Sequence, residues 1–137
     1  MTTFVDTNVL LYALDEDQGT RHHVASALIE ELWESNEGAL STQVLQELYV
    51  NLSRKLRKPI TRPRARAIVE RYMAWPTHQV TPTDILSASE LEQRHTLAFW
   101  DALIIVAAQR SGASRILTED MQHGRTFSGV AIQNPFL

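Results

Sequence analysis

The chain has 137 residues, 44% of them apolar and 21% charged, with a net charge of −3. That length is expected to form one domain over residues 1–137, burying roughly 68% of the surface the unfolded chain exposes. The longest apolar stretch, Ala102 to Ala108, is far below the ~18 residues of a membrane span. No basic-then-apolar secretory leader is seen. The lack of cysteine excludes disulfides and thiolate metal sites, so the expected compartment is a reducing cytoplasm.

"TTFV" at residues 2–5 is a short β-prone run ending at Asp6. Residues 20–35 carry Val24, Leu28 and Leu32 at every fourth position, which predicts a helix with Thr20 as a candidate N-cap. "GALST" reads as a second strand. Leu45, Leu48, Leu52 and Leu56 mark an amphipathic helix ending near Pro59, and Thr61 with Pro63 starts another, closed by Trp75-Pro76. "HQVTP" is a third strand candidate, followed by a weaker helix from Thr83 to His95. The run from Leu97 predicts a helix reaching Ser111-Gly112, then "RILT" and "VAIQ" supply two more strands. Strands separated by helices point to a mostly parallel sheet covered on both faces.

The net charge hides a partition. Arg54, Lys55, Arg57, Lys58, Arg62, Arg64 and Arg66 are seven of the thirteen basic residues, with no acid among them. The rest of the chain is left with six basic residues against sixteen acids, a balance of −10. Such a strip is either a solvated helix end and loop or a surface that attracts phosphates.

No Gly-rich phosphate loop, no G-x-S-x-G elbow and no H-E-x-x-H is present, and the five histidines are scattered. Carboxylates remain. Asp6 and Asp120 each follow a predicted strand, where ligands collect in open parallel sheets, although either residue can simply cap a helix or turn. Asp101 interrupts the apolar run "LAFWDALIIVAA". A charge there must be capped, paired, protonated or bound to a metal, and capping a helix that runs from Ala102 is one solution. Glu47 falls roughly 140° from the centre of its helix's leucine stripe, so periodicity makes it solvated; an acid lining an open cleft gives the same pattern.

Together "FVDTNVLLYAL", "STQVLQELYVNL", "FWDALIIVAA" and "ILTEDMQHG" resemble the four acidic motifs of PIN-domain nucleases, and most of all the VapC-type toxins of toxin–antitoxin pairs. The resemblance spans nearly the whole chain, in order. It implies a three-layer α/β/α fold with a central, mostly parallel five-stranded sheet and an acidic site of Asp6, Glu47, Asp101 and Asp120. Thr7, Asn8 and Thr118 are implied as supporting polar groups. The implied activity is endoribonucleolytic hydrolysis of RNA, with one or two Mg²⁺ or Mn²⁺ ions held by the acids to activate water. The implied partners are a cognate antitoxin and a second copy of the chain, with Leu52 or Trp75 offering apolar contact unless they are core. The basic strip would then bring RNA to the acids. Two other readings stand beside this one. A non-catalytic RNA-binding protein could keep the same fold. A phosphatase with a nucleophilic aspartate would want Asp-x-Asp after the first strand, and here Asn8 holds the second position.

Overall fold

In a computed structural model describing residues 1–137, every residue of the first two strands is buried: β1 (Thr3–Val5) and β2 (Gly38–Ser41). Full burial means that both faces of the sheet are covered, as a parallel sheet requires. β3 (Thr77–His78), β4 (Arg115–Leu117), β5 (Thr126–Phe127) and β6 (Val130–Gln133) complete it in the order β3-β2-β1-β4-β6-β5. The five strands expected from sequence are all parallel. The two-residue β5 is an antiparallel addition at one edge, turned onto β6 through Ser128 (φ 49°) and Gly129 (φ 87°), the positive-φ pair of a tight hairpin.

Six helices connect the strands: α1 (Thr7–Leu14), α2 (Thr20–Ser35), α3 (Thr42–Val50), α4 (Arg62–Tyr72), α5 (Pro82–His95) and α6 (Phe99–Arg110). α1 packs on α2 and α3, and α3 on α4; α5 and α6 form a second pair, with α6 laid along β2, β4 and β6. α6 is buried without a break from Ala102 to Ala108, because sheet and α5 enclose it; a helix apolar all round is a buried one. No helix is long and apolar enough to cross a membrane.

Three local features differ from the sequence reading. The leucine-striped helix stops being regular at Val50 and widens into a π-type turn over Asn51–Lys55. α5 is capped by Thr81, whose hydroxyl accepts from Asp84 N while the Asp84 carboxylate accepts from Thr81 N, a reciprocal capping box. Leu52 and Trp75 are core, at 1% and 5% exposure. Trp75 stacks with Trp33 and Tyr72 over Gly38, where a Cβ would come within 2.6 Å of the indole.

Candidate active site

β1 is the middle of the site because its two neighbours, β2 and β4, leave it in opposite directions along the sheet. Such a reversal of strand order opens a crevice beyond the strands' carboxyl ends. Asp6 is the first residue past β1, and Thr118 the first past β4. Their backbones continue the ladder, Asp6 N donating to Leu117 O at 3.0 Å and Thr118 N to Gln133 O at 3.1 Å. The two side chains therefore emerge side by side.

Asp6 both caps α1 and belongs to the crevice. Its Oδ1 accepts from Thr7 N at 2.8 Å and its Oδ2 from Thr118 Oγ1 at 2.8 Å. Asn8 bridges outward: its Nδ2 reaches Asp120 Oδ2 at 2.9 Å, Thr118 Oγ1 at 3.3 Å and Asp6 Oδ2 at 3.4 Å. Thr118 Oγ1 also accepts from Asp120 N at 3.1 Å. Thr118, Asn8, Asp6 and Asp120 thus form one hydrogen-bonded group drawn from two strand ends. Glu119, the neighbour most easily confused with Asp120, is taken up elsewhere by the Tyr12 hydroxyl and by Arg21 at 3.1 Å.

Glu47 and Asp101 approach from helices. Glu47 sits half-buried on α3. Asp101 does not cap its helix: α6 starts two residues earlier than Asp101, at Phe99, with Ala98 at the cap position, so Asp101 lies inside the first turn. The end of α6 that carries it has the positive pole of the helix dipole.

The four acids sense one another. Burial pushes the Asp6 carboxyl up to about 7, against hydrogen bonds from Thr118 and Thr7 that pull it back, and the charges of Glu47 and Asp120 push it further. Glu47 is raised by burial and by the charges of Asp120 and Asp101, with the Gln43 and Thr7 side chains close enough to offset part of the rise. Asp101 is raised by burial and by Asp120. Neither Thr7 Oγ1 nor Gln43 Oε1 completes a hydrogen bond, and both are buried without a partner.

The acids share one electrostatic field but do not form a closed ligand shell: no three His, Asp or Glu side chains stand close enough to grip one ion directly. The donor set is all oxygen, the chemistry of a hard cation such as Mg²⁺, which is held through a few carboxylates and several waters. The orphaned Thr7 hydroxyl offers a further polar contact for such a shell.

All seven residues of the basic strip are exposed. Only Lys58 approaches an acid, Asp17, at a loose 3.9 Å. The strip occupies the irregular turn after α3 and the first turns of α4. Leu56, in its midst, shares with Asn8 the wall of a cavity of about 180 Å³.

Periodicity missed Gln43 and Trp100. Trp100 is 66% exposed directly before Asp101, and Gln43 donates to its carbonyl at 3.3 Å. An apolar helix has no alternating face to mark its one exposed aromatic; adjacency to Asp101 was the only signal.

Comparison with known proteins places the chain in a family. Ribonuclease VapC23 of Mycobacterium tuberculosis is 33% identical over 121 residues, covering 85% of this chain and 91% of its own. Among solved structures, the sarcin–ricin loop-cleaving toxin VapC20 of M. tuberculosis superposes with a TM-score of 0.66 at 22% identity, over 87% of this chain and 90% of that one. A toxin–antitoxin complex from Klebsiella pneumoniae superposes at 0.69 and 20% identity, over 98% of each chain. Residues 3–126 match the PIN domain family, and with strand order, acidic crevice and relatives in accord, the chain belongs to it.

Proposed function

We propose that the chain, as a single unit over residues 1–137, is a divalent-metal-dependent endoribonuclease of the VapC toxin type, with Asp6, Glu47, Asp101 and Asp120 as the metal-holding acids. The observation that carries this reading is the mutual rise of Asp6, Glu47 and Asp101 caused by burial together with one another's and Asp120's charges. Like charges gathered in a half-buried crevice destabilise the fold unless something positive joins them. Perturbed carboxyls at a strand-end crevice also mark functional sites more often than structural ones.

A bound Mg²⁺ or Mn²⁺, one ion or two, supplies Lewis-acid activation of water and neutralises charge on the phosphoryl oxygens. The residues of the chain do the rest. Thr7 N and Thr118 Oγ1 fix both oxygens of Asp6, so that carboxylate is preorganised rather than free to rotate. Asn8 sets Asp120 against it. At neutral pH Asp6 still holds part of its proton, so uptake of a cation displaces a proton from that carboxyl. Exposed Arg and Lys side chains from Arg54 to Arg66 offset the repulsion that the acids exert on an RNA backbone.

The relatives named as toxins, one of them solved with its antitoxin, support a protein partner that silences the crevice, and a homodimer is the assembly we assign. With Leu52 and Trp75 in the core, any such contact falls to other residues. The absence of cysteine fits a cytoplasmic site of action.

The test is cleavage of labelled structured RNA in Mg²⁺, in Mn²⁺ and in EDTA, by the wild type and by Asp6→Asn and Asp101→Asn. Cleavage is expected with either metal, to vanish in EDTA, and to fall at least about 10- to 100-fold in each variant, the range for disturbing a metal's surroundings. Activity indifferent to the chelator removes the metal; RNA binding without cleavage in every metal makes the protein a binding module.

A further inference from the structure

Next to the acids lies a surface of different chemistry. Trp100 and Glu47, together with Gln43 and Gln46, line an open cavity of about 370 Å³. A second cavity of about 250 Å³ shares Gln43, Gln46 and Trp100 and runs on toward Val80, Ile85 and Phe99. Trp100 is 66% exposed, although it sits on a helix buried without a break from Ala102 to Ala108. Two contacts hold it in place: Gln43 Nε2 donates to its carbonyl at 3.3 Å, and the Phe99 ring meets its ring edge-on at 5.2 Å and 78°. Gln43 is itself 6% exposed, and its Oε1 has no partner.

No lysine or arginine lines either cavity, so neither is a phosphate site. A flat indole flanked by side-chain amides instead matches an unpaired nucleobase, which stacks on an aromatic face and hydrogen-bonds through its edge. Continuity with the acids names the occupant. Glu47 belongs to both surfaces, so a strand whose phosphate reaches the acids carries a neighbouring base to Trp100.

We infer that Trp100 is the stacking platform for an unpaired nucleobase beside the scissile phosphate, with the Gln46 amide at the base edge. This rests on the nuclease reading above. A paired base is unavailable for stacking, so the same device disfavours a continuous duplex.

The test is a single-stranded RNA of mapped cut site, prepared also with one abasic nucleotide at each position flanking the cut. The wild type is expected to slow about tenfold when one particular flanking base is removed, within the range of base–aromatic stacking. Trp100→Ala slows about tenfold on the intact RNA and no further on that abasic one, and Trp100→Tyr restores most of the rate. Equal abasic losses in wild type and Trp100→Ala, or no loss in Trp100→Ala, overturn the inference and leave the nuclease reading standing. A second readout needs no cleavage. In EDTA, a single-stranded oligonucleotide is expected to quench the tryptophan fluorescence of the wild type but not of Trp100→Phe, which keeps Trp33 and Trp75. Quenching that persists in Trp100→Phe, or is absent in the wild type, overturns stacking even if no RNA is ever cut. A wild type that quenches but cuts nothing sinks the nuclease reading, and the placement beside a scissile phosphate with it, and leaves only base stacking on Trp100. If Trp100→Ala instead changes the particle mass in light scattering and slows every RNA equally, the face is a protein interface and the inference fails.

Discussion

Burial, then the charges of Glu47 and Asp120, lift the Asp6 carboxyl from 3.8 to about 7, and this has a measurable consequence for stability. Between those two values the folded chain keeps a proton that the unfolded chain has released. Without metal, stability therefore falls as pH rises from about 4 to about 7 and levels off above. Asp6→Asn removes the titration and keeps the cap, since Asn caps a helix as well as Asp. In EDTA at about pH 8 the variant is expected to melt about 4 °C above the wild type, corresponding to ~1 kcal/mol, and differential scanning calorimetry across pH checks both the shift and the flattened profile. An Asp6→Asn protein that melts no higher than the wild type at about pH 8 would mean that Asp6 carries no such burden of buried charge. Asp6 and Asp120 were legible in the sequence because a strand precedes each. Glu47 was not: its half-buried position faces a crevice made by other elements, and a helical wheel cannot distinguish a crevice from solvent. Asp101 was legible as anomalous, but whether it caps its helix was not, because that depended on α6 beginning at Phe99.

At the scale of elements, the order of strands and helices followed from apolar spacing and turn residues, and four of the five parallel strands occur where those signals put them; the third, expected over residues 78–82, is instead Thr77–His78, because the chain turns into the Thr81 cap of α5. The π-type turn at Asn51–Lys55 and the two-residue β5 left no such mark, since the first keeps a helical spacing of leucines and the second is too short to alternate. Trp75 shows why burial is harder to read than secondary structure. It lies after α4 beside a proline, yet it is 5% exposed because Trp33 and Tyr72 from two other segments close around it and β2 passes beneath at Gly38. That close approach gives a prediction. In Gly38→Ala the added methyl would lie 2.6 Å from the indole, forcing the aromatic stack to shift at a cost of about 1–3 kcal/mol. Urea unfolding should show a lower midpoint with an unchanged slope; an unchanged midpoint would mean that the stack yields freely.

Across the whole molecule, charge is divided between an acidic crevice and an exposed basic strip. On the nuclease reading, the strip draws an RNA backbone toward the acids. Reversing two exposed, unpaired charges, Arg57→Glu together with Arg64→Glu, is expected to weaken RNA binding and to make its logarithmic salt dependence shallower by about 1 to 2, given roughly 0.7 per neutralised phosphate on a single strand. An unchanged salt slope in fluorescence anisotropy would make the strip an ordinary solvated face. The crevice rests on a stronger claim, that acids from 19 to 114 residues apart in sequence share a single divalent site. Titrating the protein with Mn²⁺ and following free Mn²⁺ by electron paramagnetic resonance tests it most directly. The account predicts that the wild type takes up Mn²⁺ and that Asp6→Asn and Asp101→Asn each lose that uptake while remaining folded; a wild type that leaves Mn²⁺ free, or variants that bind it equally well, would contradict the account.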